Sequence, residues 1–255
     1  MILIHRLTPF VVGVLAVAGF LIASSNPEWT LWIMPLLFVI EGMLLARLTQ
    51  ANARRFESWV LIGTPLLLLM SAISVFLFLD SSTLRMGLGA ITGFFLYFYS
   101  ENLFGFVHLP VLYQPHALQN LTMVLQVLGT FFFSAAAYAM LLFVPVIPLL
   151  ALVVLFTPYI FLAICMSLWM GKAPHEIIRR YAIGGTVLFV ELFVALSYLP
   201  TTFTTNAALL AIFLYLFLGM SRAQVQARLT RLLLRRYLGL GFGMLLLIVL
   251  SAEWT

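Results

Sequence analysis

The chain is a succession of apolar runs, each about as long as a bilayer is thick, joined by short segments that hold most of its charge. A helix needs about 20 apolar residues to cross a hydrocarbon layer of about 30 Å. In lipid every backbone N–H and C=O must find its partner within the protein, which leaves helices and closed barrels as the spanning forms. The runs predict helices over 8–24, 29–48, 58–79, 84–108, 117–143, 147–169, 178–199, 205–220 and 236–252. The expected fold is all-α: a polytopic transmembrane helix bundle of about nine spans, forming a single transmembrane domain over residues 1–255.

Composition removes the soluble alternatives. Hydrophobic residues make up 64% of the chain and charged residues 8%, against about 45–50% and about 25% in soluble domains. Mean hydropathy is +1.15. Such a chain cannot cover its surface in water, so disordered, collagen-like and ordinary soluble-enzyme classes fall. A pI near 9.7 would suit a nucleic-acid binder, but the cations lie between apolar runs, and no nucleic-acid partner is expected. The single cysteine, Cys165, sits inside an apolar run as a small packing residue. No disulfide within the chain can form.

Run ends carry helix signals. Asn26-Pro27-Glu28 offers a cap, a first-turn proline and an acid before the second run, and Ser81-Ser82-Thr83 offers capping hydroxyls before the fourth. Ala173-Pro174-His175-Glu176 marks a start and Pro200 a stop around the seventh. The uncharged turn Leu199–Asn206 reads as a proline-stopped, capped connection.

Lys and Arg resist translocation, which orients the spans. With the N-terminus cytoplasmic and the C-terminus outside, twelve of the 13 basic residues fall on the inner side and only Arg85 falls outside. Glu28, Asp80 and Glu253 then lie outside as well. This places the cation-free turn at 109–116 in the cytoplasm. Arg6, the following apolar run and Ala23-Ser24-Ser25 have the order of a cleaved leader. The run from Leu7 to Ala23 is long for one, so residues 1–25 are expected to be retained.

Arg54-Arg55-Phe56, Arg179-Arg180-Tyr181 and Arg235-Arg236-Tyr237 each precede an outward-going run, without a constant period. The cations are expected to reach lipid phosphates while the rings settle at the interface. Residues 221–237 place Val225, Leu229, Leu232 and Leu233 on one helical face and Arg228, Arg231 and Arg235 on another. That pattern predicts an Arg-rich cytoplasmic interfacial helix. Arg228, Arg231, Arg235 and Arg236 are the candidate contacts to anionic inner-leaflet lipids, or to a membrane-protein partner. The glycines at 239, 241 and 243 follow no strand, so close helix packing is the expectation there, not a nucleotide loop.

Several membrane chemistries lack their residues. The only lysine, Lys172, lies in a loop, which removes a retinal Schiff base. Intramembrane aspartyl proteolysis needs two buried aspartates, and Asp80 stands alone at an outer turn. His175-Glu176-Ile177-Ile178-Arg179 has an arginine where a zinc-protease helix needs its second histidine. There is no G-x-S-x-G elbow, P-loop or C-x-x-C-H segment. No catalytic residue, metal or cofactor is assigned.

What remains is a set of polar groups inside the runs. An ionisable side chain at the centre of a membrane helix costs roughly 2.5–3.5 kcal/mol on insertion scales, and so asks for a function. Glu41 and Glu101 each lie seven residues before the inner end of their span, about 10 Å deep. Glu191 lies near the middle of the seventh. Tyr97, Glu101 and His108 share one helical face; His116, Gln119, Thr122 and Gln126 share another on the next helix, which returns antiparallel. Glu191 and Tyr198 share a third. These residues are expected to form a polar cavity in the inner half of the membrane, with acids that are protonated unless paired or wetted and that serve as ligand or proton binding groups. The alternative is that they only tie helices together. His108 and His116 are too few for a metal site.

Glu191-Leu192-Phe193, Ser197, Leu199-Pro200-Thr201, Arg235-Arg236-Tyr237 and the terminal Glu253-Trp254 resemble uncharacterised multi-spanning bacterial inner-membrane proteins, over roughly the last third of the chain. The resemblance implies a bacterial inner membrane and no particular reaction. Three functions remain in view: a small transporter or lipid-binding protein, a non-catalytic subunit of a larger membrane complex, or a lipid-modifying enzyme using Glu101 and His108 as acid and base.

Overall fold

The computed structural model describes residues 2–50, 56–111, 113–114, 116–227 and 229–251. Among these the chain forms nine α-helices: α1 (Ile2–Ser25), α2 (Thr30–Leu48), α3 (Phe56–Phe76), α4 (Ser82–His108), α5 (Ala117–Phe143), α6 (Leu149–Met170), α7 (His175–Ser197), α8 (Phe203–Val225) and α9 (Arg231–Ser251). Every apolar run became a helix. Seven of them, all but α4 and α9, are long and apolar enough to cross a membrane. The chain is thus an all-helical protein whose build is compatible with a multi-pass membrane protein.

Contacts group the chain into two compact units, Met1–Leu125 and Gln126–Thr255. The division falls inside α5. In the first unit the main packing is α1 against α4, with α2 against α1 and α3. Two glycines let α1 and α4 approach. A Cβ on Gly13 would stand 2.7 Å from Cβ of Tyr97, and one on Gly93 would strike Val17 and the Gly13 carbonyl. Small residues at such crossings allow dense van der Waals contact where no hydrophobic drive separates helix from lipid. Thr30 fastens the start of α2 to α1 by donating to the Ala23 carbonyl.

The second unit is centred on rings. Tyr138, Phe193 and Phe156 stack in sequence with centroids 4.7 Å apart at each step. Phe156 neighbours Tyr159, which stacks on Phe133 at 4.2 Å. The Tyr138 hydroxyl donates to the Phe193 carbonyl at 3.0 Å, so its polar end is satisfied within the same core.

Three local expectations need correction. Asn26 does not cap α2 with its side chain; it donates to the Ile22 carbonyl and to Ser25, finishing α1, while Pro27–Trp29 forms a 3-10 turn. Ser81 makes no side-chain cap to α4. Residues 221–237 are not one interfacial helix: α8 runs on to Val225, Ala227 takes a left-handed φ of 52°, and the Thr230 hydroxyl accepts from the Leu233 N–H to open α9. A capping threonine and a left-handed residue divide the segment where the charge pattern had suggested continuity. Of the glycines at 239, 241 and 243, Gly241 makes the close approach, against Leu216. Thr202 does cap α8, accepting from the Thr205 N–H.

Candidate functional site

The polar candidates separate by burial. Glu41 is 0% exposed, on the α2 stripe that includes Met34, Leu37, Leu45 and Leu48. Neither of its carboxylate oxygens has a hydrogen-bond partner among the described residues. Nothing in the stripe offers a cation. An isolated charge in an apolar interior is costly.

Glu101 and Glu191 are different. Both are exposed, as is Tyr97 at 38% and Tyr198 at 76%. The buried stripe of α4 instead contains Leu96, Tyr99, Ser100 and Leu103. The expected inward face of Tyr97 and Glu101 is therefore turned outward, and Tyr99 takes its place. The α1 crossing runs along Gly89, Gly93 and the backbone end of Tyr97, whose Cβ faces Gly13. Glu41 alone of the three acids is enclosed.

Tyr99 brings buried polar groups of three helices of the first unit together. It is fully buried, its hydroxyl donates to the Leu61 carbonyl at 3.1 Å, and the Thr64 and Thr122 side chains lie beside it. Thr122, expected on the polar stripe of α5, thus meets Tyr99 of α4. His108 ends α4 with its ring stacked on Phe104 at 4.9 Å. His116 lies exposed in the following turn with φ 68°, and its Nδ1 stands 2.8 Å from Oε1 of buried Gln119. In the second unit Gln126 is buried and its Nε2 lies 3.8 Å from Sδ of Met166, while Oε1 has no partner among the described residues.

Arg231, Arg235 and Arg236 are exposed on the first turns of α9; Arg228 lies outside the described residues. Among the described residues no group of three or more His, Cys, Asp or Glu side chains is arranged to hold a metal.

One feature was not singled out from the sequence. Phe10, Gly13, Val17 and Leu21 of α1 and Gly93 and Tyr97 of α4 border an apolar groove of about 600 Å³. The signal for it was present in Gly89-x-x-x-Gly93, a small-residue spacing that marks close helix crossings. Comparison with protein families, with curated proteins and with solved structures finds no match to this chain.

Proposed function

We propose that this chain is a bacterial inner-membrane protein of nine crossings, N-terminus in the cytoplasm and C-terminus outside, acting as a small transporter or lipid-binding protein that responds to protons through Glu41. The observation that carries this reading is the fully buried Glu41 carboxyl with both oxygens unpartnered among the described residues. An acid kept in the membrane interior without a structural bond is a functional group by default. Its uncharged form can be held there, and loss of the proton obliges the surroundings to rearrange or admit water. That couples protonation to conformation. Glu101 and Tyr97, on the exposed face of α4, are the groups available to a ligand arriving from the membrane.

The test is infrared difference spectroscopy on the protein reconstituted in phosphatidylethanolamine and phosphatidylglycerol vesicles, taken across a pH jump. A protonated-carboxyl band that responds to pH and disappears in Glu41→Gln is the expected result. A carboxyl band indifferent to pH, with lipid transfer between leaflets unchanged in Glu41→Gln, would overturn the reading.

The exposed row Arg231, Arg235 and Arg236 favours a second reading, a subunit docking to an acidic membrane partner. Co-purification of a fixed partner that survives Glu41→Gln but is lost when these arginines become alanine would establish that instead.

A further inference from the structure

One helical step beyond the residues that line the groove between α1 and α4, each helix carries a charge, and the two charges are opposite. On α1 its lining residues Phe10, Gly13, Val17 and Leu21 follow Arg6 by helical steps of three and four. On α4, Gly93 and Tyr97 lead by the next step of four to Glu101. The two helices run antiparallel, with Gly13 against Tyr97 and Phe20 against Gly89. In that register Arg6 and Glu101 stand within about one helical turn of the same level. Both are exposed.

We infer that this groove is a binding site for a zwitterionic aminophospholipid. One acyl chain lies in the groove, the phosphate is held by Arg6, and the ammonium is held by Glu101. The size selects the occupant. From Phe10 to Leu21 the groove runs about 16 Å along α1, close to the half-thickness of a hydrocarbon core of about 30 Å. A volume of about 600 Å³ lies within the range of small-molecule sites. The walls are apolar residues, with Tyr97 the one lining side chain that carries a polar group. A headgroup with one anionic and one cationic centre complements Arg6 and Glu101 together; phosphatidylglycerol satisfies only the first. This proposal rests on the lipid-binding part of the function proposed above.

The test uses the full chain, purified in mild detergent and examined by native mass spectrometry after addition of dioleoyl phosphatidylethanolamine or dioleoyl phosphatidylglycerol. The expected result is one retained phospholipid per chain, with phosphatidylethanolamine held at least fivefold better. Ala90 of α4 and Ala18 of α1 also line the groove, and Ala90→Phe, or Ala18→Leu from the other wall, fills it and removes the retained lipid. Glu101→Gln keeps a lipid but brings the two headgroups to equal retention. Circular dichroism confirms that each variant is folded, and two filling variants on different helices guard against the failure of one. Equal retention of the two lipids by the unsubstituted protein would overturn the inference, as would retention undiminished by both filled variants, or a dimer sealed across the groove. Retention that survives groove filling leaves lipid binding standing and moves it elsewhere, whereas no retained lipid in any form removes both.

Discussion

The Tyr99 hydroxyl donates to the Leu61 carbonyl at 3.1 Å, and Leu61 stands four residues before Pro65 in α3. Proline has no N–H, so the carbonyl four residues earlier loses its helical donor. Tyr99 supplies the missing bond from the neighbouring helix. This is how a proline is accommodated inside an apolar bundle. Tyr99→Phe should therefore destabilise the protein by about 1 kcal/mol. In a Pro65→Ala background, where the backbone donor returns, the same change should cost markedly less. Thermal unfolding of the four proteins in one detergent measures the coupling, and strict additivity would refute it.

The α1–α4 crossing should not admit a larger side chain. A Cβ at Gly13 already meets Cβ of Tyr97, an atom fixed to the α4 backbone. Gly13→Leu should separate the helices and destabilise by about 1–3 kcal/mol, the usual cost of overpacking. Gly184→Leu serves as the control, since a Cβ there meets nothing within 4 Å. Comparison of melting temperatures checks the contrast.

Phe193 holds the ring stack of the second unit, touching both Tyr138 and Phe156 and offering its carbonyl to the former. Truncation to alanine should cost about 3–5 kcal/mol. Phe193→Leu should cost less, because most of the volume stays. Limited proteolysis is expected to find new sites in the second unit of the alanine variant before the first.

Glu41 should be more useful than stabilising. Replacing an unpartnered buried polar group by an apolar one of similar shape is neutral or favourable, so Glu41→Met should raise the melting temperature. The same variant should lose the proton response, a trade of function for stability. A fall in melting temperature would mean that the carboxyl holds the fold together.

The proposed orientation is checked by labelling. In a Cys165→Ser background, Asp80→Cys should react with an impermeant maleimide on intact cells. Lys172→Cys should react only after the membrane is opened. The reverse pattern would invert every crossing.

Much of this architecture was legible before any coordinates. The runs around α2, α4 and α5 predicted those helices to within about two residues, and Glu41 was recognised as an acid that needed a reason. The face of α4 was not legible. Tyr97 and Glu101 were expected to point inward, yet Tyr99 and Ser100 do. Nor was the break at Ala227, where regular charge spacing concealed a capped start at Thr230.

Length and hydropathy by themselves determined where helices form, because a backbone in an apolar surrounding must bond to itself locally, within a few residues of sequence. Which side of each helix is enclosed was decided only by tertiary structure. A helix that is hydrophobic all round has no stripe to declare its inner face. The choice passes to long-range contacts between residues distant in sequence: Gly13 against Tyr97, Tyr99 against the carbonyl left open by Pro65, and Phe193 between two rings.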